Sequence, residues 1–350
     1  MNKLKKKDFK INTAFYSLLL LLFSCSCSHI TKDKVYNSNL TLRSSFTSSF
    51  PIGLGIHLSN IISDSSHLIS NYFNSISTAN AFKFEAIHPH LDEYDFEEAD
   101  SIVAFALQNN MRVRGHTLIW GNRNPYWLIW DEKGNTVYRT VLERRLKEHI
   151  MKVVGRYKGR VEVWDVVNEA IYDNNKEFLK PTIWYKILGE EYIYKSFQFT
   201  HEADSNAHLF YNDYNAEQPA KRDRIVRLIK SMKDRNIPIY GIGIQGHWTT
   251  ENLNLSDLES AIDIYSAMGL QVQITELHIT NPLDPNATDS ETMNQLADVY
   301  HDLFNILLKH KHQITGVTFW ESESPKNRYY PLFDINLKPT QVYQSIINAN

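Results

Sequence analysis

Only two of the 350 residues are cysteine, Cys25 and Cys27, and both lie in the first thirty. Beyond them the chain can form no internal disulfide, no thiolate zinc site and no cysteine nucleophile, so catalysis must come from carboxylates, imidazoles or hydroxyls. Charge of one sign is lacking too. Lys and Arg number 37 against 40 Asp and Glu, a formal net charge of −3, and the pI near 6.5 provides no global basic field for nucleic acid. The apolar run at 14–23 is too short to span a bilayer comfortably. No internal repeat, low-complexity block or linker divides the chain after residue 50.

What is present is globular composition, 43% hydrophobic and 22% charged, enough for a sizeable core. Aromatic residues reach 12%, with 7 Trp and 19 Tyr. Such rings stack on the apolar faces of sugars as readily as they fill cores, and core filling accounts for most of them. A neutral, hydroxyl-rich ligand suits this balance better than a polyanion.

Lys3, Lys5, Lys6, Lys7 and Lys10 precede the short apolar run, the pattern of an export leader. Leu22-Phe23-Ser24-Cys25 then resembles a bacterial lipoprotein processing box, with Cys25 as the residue to be lipidated. A plain secretory leader cleaved elsewhere is the alternative. The expected organisation is a leader over 1–25, a Ser-, Thr-, Asn- and Lys-rich tether over 26–50, and one catalytic domain over 51–350. An exported lipoprotein is expected, periplasmic or extracellular, at the outer membrane or cell surface and touching the membrane only through its lipid. No oligomer signal is visible, and a monomer is expected.

After residue 50, short β-branched or apolar runs alternate with longer segments of helical period. Strands are expected at 52–57, 82–87, 111–120, 161–168, 208–212, 239–245, 271–276 and 316–320. Helical stripes at 95–109, 218–235 and 258–268 read as helix backs packed on a sheet. Eight strands in about 300 residues predict an α/β fold, a (β/α)8 TIM barrel, with its chemistry at the C-terminal strand ends. Polar or aromatic residues gather at those ends: Lys83 and Glu85, His116 and Trp120, Asn168 and Glu169, Asn212 and Asp213, Gln245 and His247, Glu276 and His278, Trp320 and Glu321.

Two of these ends carry the reaction. Val161–Asn168 and Gln271–Thr275 are each followed by a glutamate, Glu169 and Glu276, placed on nearly opposite sides of the rim. Two carboxyls facing across a pocket can cleave a glycosidic bond, one protonating the leaving oxygen and the other attacking the sugar carbon. One strand-end glutamate alone would be better read as a salt bridge. Two of them among Asn, Gln, His and Trp favour catalysis. Asn168 offers an amide to a sugar hydroxyl, Trp320 a ring beneath the reacting sugar, and Gln245 and His247 donors to Glu276. His88 and His90 flank Pro89 but lack a third metal ligand, so a surface loop is expected there.

The chain resembles family 10 of the glycoside hydrolases, the endo-β-1,4-xylanase family, from about Pro51 onward. The resemblance rests on the segments starting at Arg114 (RGHTLIW), Trp164 (WDVVNEA), His201 (HEAD), Tyr211 (YNDYN), Gly241 (GIGIQGHW), Ile274 (ITEL) and Gly316 (GVTFW). It implies a retaining barrel without metal or cofactor, with Glu169 as general acid/base and Glu276 as nucleophile. By position it also implies sugar-binding roles for Asn80, Lys83, His116, Trp120, Asn168, Asn212, Tyr214, Gln245, His247 and Trp320. The implied activity is a retaining endo-1,4-β-xylanase acting on xylan or a related β-linked polysaccharide. A β-glycosidase of altered specificity and a non-catalytic glycan-binding lipoprotein remain as alternatives.

Four departures touch the substrate pocket. Ala79 stands where the family usually has a sugar-binding glutamate, and Gly121 replaces a histidine, which suggests a wider pocket. The loop after Trp320 lacks a second tryptophan, for which Tyr329 or Tyr330 could substitute. His278 replaces an aspartate two residues after the nucleophile. Residues two apart on a strand share a face, so its imidazole is expected to point with Glu276 and to favour the ionised nucleophile.

Overall fold

The structure is a computed structural model that describes residues 40–63, 66–173, 177–284, 289–320 and 331–350. The leader, Cys25, Glu321, Tyr329 and Tyr330 lie outside the described residues.

The described residues form ten strands: β1 (Ile52–Ile56), β2 (Ser75–Thr78), β3 (Arg112–Gly115), β4 (Ile119–Trp120), β5 (Val163–Asn168), β6 (His208–Asp213), β7 (Gly241–Ile244), β8 (His247–Thr249), β9 (Gln271–Thr280) and β10 (Ile314–Phe319). Parallel pairing runs β10-β1-β2-β3-β5-β6-β7-β9, and β10 pairs with β9 to close the ring. The result is the expected (β/α)8 barrel. β4 and β8 are short rim strands beside β5 and β9. They carry Trp120 and His247 above the ring.

Seven barrel strands fall within or across the expected spans. The second does not. Segment 82–87 alternates Phe82, Phe84 and Ala86 with Lys83 and Glu85, which reads as a strand, yet Phe84–Ile87 is one turn of helix. The strand is Ser75–Thr78, whose hydroxyls mask it from a hydrophobicity scan. Ser77 and Thr78 are buried, and Thr78 Oγ1 donates to the His116 carbonyl at 3.2 Å. Lys83 therefore caps a helix in the loop beyond β2.

The helices at Glu97–Gln108, Pro219–Asp234 and Leu255–Ala267 match the expected stripes. Their apolar faces turn inward and join one continuous core. Asn254 caps the last of them, accepting from the Ser256 and Asp257 amides at 3.0 and 3.2 Å.

The expected boundary at Pro51 is corrected by ten residues. Thr41 caps a one-turn helix, Leu42–Ser45, and Leu42, Phe46 and Phe50 are buried. The Arg43 guanidinium donates to the carbonyls of Ser70, Phe73 and Asn109 at 2.9–3.0 Å. These carbonyls sit just before β2 and β3, so the segment seals the barrel's N-terminal face.

Candidate active site

Glu276 lies on β9, buried among donors. His247 Nε2 donates to its Oε2 at 3.0 Å, and Asn212 Nδ2 donates to its Oε1 at 2.9 Å. His116 Nδ1 stands 3.9 Å from that same Oε1. Burial pushes the carboxyl up, but the His116 charge and the His247 and Asn212 hydrogen bonds outweigh it and hold the pKa at about 2. Glu276 is thus kept ionised.

Each donor is itself held. Asn212 Oδ1 accepts from Thr275 Oγ1 at 2.6 Å, and its Nδ2 also reaches Asn168 Oδ1 at 2.9 Å. Gly243 makes room for that amide, since a Cβ there would stand 2.2 Å from Asn212 Oδ1. His116 Nδ1 donates to Asp165 Oδ2 at 3.0 Å, which fixes the ring, and Asp165 is paired with Arg114. Arg114 Nη1 continues to Gln273 at 2.6 Å. Both charges are buried, and the pair satisfies them inside an otherwise apolar barrel.

Glu169 follows β5 in a left-handed backbone conformation, φ 56°. For a residue with a Cβ this is strained, of order 1 kcal/mol, and such strain persists only where surroundings enforce it. Here the Glu169 amide donates to the Asn212 carbonyl at 2.8 Å, and the Ile171 amide donates to Tyr211 Oη at 3.0 Å. The turn aims the carboxylate at the mouth. Its Oε1 accepts from Gln245 Nε2 at 3.1 Å, and its Oε2 lies 3.3 Å from Lys180 Nζ.

Gln245 therefore serves Glu169 rather than Glu276, correcting the sequence expectation. Its amide also lies 3.4 Å from Asn168 Oδ1. One chain of amides, Gln245–Asn168–Asn212, links the two carboxylates.

The remaining sugar-binding candidates converge around this pair. Lys83 Nζ donates to Asn80 Oδ1 at 2.8 Å and stands 5.2 Å above the Trp120 ring. Burial lowers its pKa, with Glu276 opposing. The Trp120 carbonyl accepts from Trp184 Nε1 at 2.9 Å. Trp320 meets the His116 ring edge-on, centroids 5.6 Å apart, and lies over Gly55, where a Cβ would be 2.6 Å from the indole. Tyr214 packs between Lys180 and Lys221, and its hydroxyl donates to Asp173. His278 lies on β9 two residues past Glu276, half-buried and in register with His247, and its amide donates to the Gly246 carbonyl at 3.0 Å.

Two expectations are revised. Gly121 does not widen the pocket, because Thr182 Cγ2 stands 2.6 Å from where its Cβ would be. His88 is buried rather than on a surface loop: its ring stacks on Tyr94, and its Nδ1 lies 3.3 Å from His149 Nδ1. Among the described residues no three His, Cys, Asp or Glu side chains form a metal-binding group.

No sequence pattern marks Lys180 as a site residue. It follows the isolated bridge of Ile171 with Leu179 in a long loop, where no periodicity marks it. Arg114 and Asp165 carried a legible signal, because charges inside apolar barrel strands must find each other.

A closed parallel barrel with two carboxylates at its C-terminal mouth, one locked as an anion and one beside a cation and an amide, defines a glycoside hydrolase. The sequence profile of glycosyl hydrolase family 10 matches residues 41–349, and the chain belongs to that family. It is 40% identical over 347 residues to a β-1,4-xylanase of Dictyoglomus thermophilum, covering 94% of this chain and 97% of that one. It is also 40% identical over 289 residues to endo-1,4-β-xylanase B of Paenibacillus barcinonensis, covering 80% and 86%. A crystal structure of a xylanase from that organism, complexed with a conduramine derivative, superposes with a TM-score of 0.83 at 36% identity, covering 90% of this chain and all of that one.

Proposed function

We infer that the protein is a retaining endo-1,4-β-xylanase, and the observation that carries this is the asymmetry of the carboxylate pair. Glu276 is buried and held at about 2, as an attacking anion requires. Glu169 is aimed at the mouth by its strained turn, where it can both give and take a proton.

Glu169 gives its proton to the glycosidic oxygen as Glu276 Oε attacks the anomeric carbon. The carbon–oxygen bond breaks, an ester to Glu276 forms, and the aglycone leaves with the proton. Glu169, now a carboxylate, takes a proton from water, whose oxygen attacks the same carbon and releases Glu276. Two inversions give net retention. Trp320, His116, Asn80, Lys83 and Trp120 border the glycone side, while Tyr214 and Lys180 border the leaving group.

Ala79 favours a second specificity, a decorated xylan or another β-glycan. It is buried and supplies no side-chain hydrogen bond to a distal sugar. Lipidation at Cys25 and export to the outer membrane or cell surface form part of the same proposal, supported by the Lys-rich leader and the processing box.

Proton NMR of early product on xylan tests the mechanism, with the β-anomer expected and an α-anomer overturning it. Reducing-sugar release from xylans, glucans and mannans, run beside a binding assay, separates the specificities. Binding without release on any of them would leave only glycan capture.

A further inference from the structure

The N-terminal face of the barrel carries a basic pocket of about 560 Å³, far from the carboxylate pair. Arg43, Arg112, Lys311 and His312 line it, and none of its lining residues is acidic. Arg43 is committed to backbone carbonyls, and Arg112 lies 3.6 Å from Glu162. Lys311 and His312 are exposed, as are Lys158 and Arg160 in the neighbouring loop before β5. The carboxylates near this face are each engaged or set apart: Glu162 lies against Arg112, Glu259 and Asp263 against Lys309 and His310, and Asp234 stands at a helix end.

The opposite face is mixed. Its loops carry Glu85, Asp92, Glu93, Asp131, Asp173 and Glu251 together with Lys83, Arg123, Lys133, Lys180 and Lys221. Helix dipoles favour cations at the basic face, where the helices end. The long Lys and Arg side chains nonetheless project beyond the helix carbonyls and set the charge that an approaching surface meets.

The chain also enters the fold on the basic face. Tyr343 Oη donates to the Leu40 carbonyl at 3.2 Å, and Thr41 caps the helix that carries Arg43. Cys25 lies thirteen residues before Ser38 in sequence. On the lipoprotein reading, the end of the chain that enters this face is the end that carries the lipid.

We propose that Arg112, Lys311 and His312 at the rim of this pocket bind the phosphate headgroup of an anionic lipid, seating the barrel on the membrane with its catalytic mouth outward. The proposal rests on the lipoprotein reading only for its geometry. Each cation brought to an anionic surface raises partitioning roughly fivefold, an effect screened by salt.

The test uses the full chain in two forms, native and Cys25→Ser. The mass of the native N-terminal peptide shows whether Cys25 carries lipid, which judges the anchoring reading by itself. Cys25→Ser protein is then mixed with vesicles of phosphatidylcholine, with or without phosphatidylglycerol. Stronger sedimentation with the anionic vesicles is expected, together with slower acetylation of Lys158 and Lys311 but not of Lys186. The difference should vanish near ~1 M salt and fall roughly 25-fold or more in Lys158→Glu/Lys311→Glu, with xylan hydrolysis unchanged. Equal sedimentation and labelling in both vesicles would overturn the proposal. So would displacement by millimolar inorganic phosphate, or retention on an acidic xylan without vesicle binding.

Discussion

His247 Nε2 lies 3.0 Å from Glu276 Oε2, the oxygen opposite the one that Asn212 holds at 2.9 Å. The two donors grip the nucleophile from both sides, so its orientation and its charge are set together.

Removing that imidazole should raise the nucleophile's pKa. In His247→Ala burial of Glu276 keeps its upward push while one hydrogen bond and one positive charge are lost. The acid limb of kcat/KM should move to higher pH by about one unit, worth about 1.4 kcal/mol. An unmoved limb with a uniformly lower rate would restrict His247 to sugar binding.

His278 gives a contrasting test. It is in register with His247 but is not among the groups that chiefly hold Glu276 ionised. If its imidazole adds to that field, His278→Asp puts a negative charge in its place and shifts the acid limb upward. A pH–rate profile that coincides with the parent's would exclude the role.

Lys180→Met should slow turnover on xylan roughly tenfold, about 1.4 kcal/mol, by loosening the Glu169 carboxylate from its 3.3 Å partner. Lys180→Arg should recover much of the loss. A thermal midpoint unchanged in both would separate positioning from folding.

The Lys221–Asp213 pair bears on stability. Burial pushes Asp213 up to about 6 while Lys221, 2.8 Å away, opposes it. An acid with a folded pKa above its unfolded value lowers stability as pH rises between the two, here from about 3.8 to about 6. Lys221→Met should cost about 3–5 kcal/mol near neutral pH and deepen that fall, while adding Asp213→Asn should return part of it. Denaturant midpoints against pH measure both. Additive losses in the double variant would refute the coupling.

Most of the barrel was legible because its strands end on chemistry. β5, β6, β7, β9 and β10 combine apolar runs with polar tips; four of them end within one residue of the expected place, and β9 runs four residues further, to Thr280. β2 was not legible, since a strand lining the barrel interior can be built of Ser and Thr, and here the Thr78 hydroxyl donates to the His116 carbonyl. Side-chain partners between strands were harder still. Sequence order places Gln245 one strand from Glu276 and two from Glu169, yet its amide reaches past β6 to the farther carboxylate. Lys180 came from a loop whose path no local pattern dictates.

The helix Leu42–Ser45 sits at the opposite end of the axis from the polymer-gripping mouth, and Arg43 ties it to the segments before β2 and β3. A disturbance of the first described residues is therefore met by backbone carbonyls at the far end of the axis from Glu169 and Glu276, so the chain's entry and its chemistry are kept a barrel's length apart.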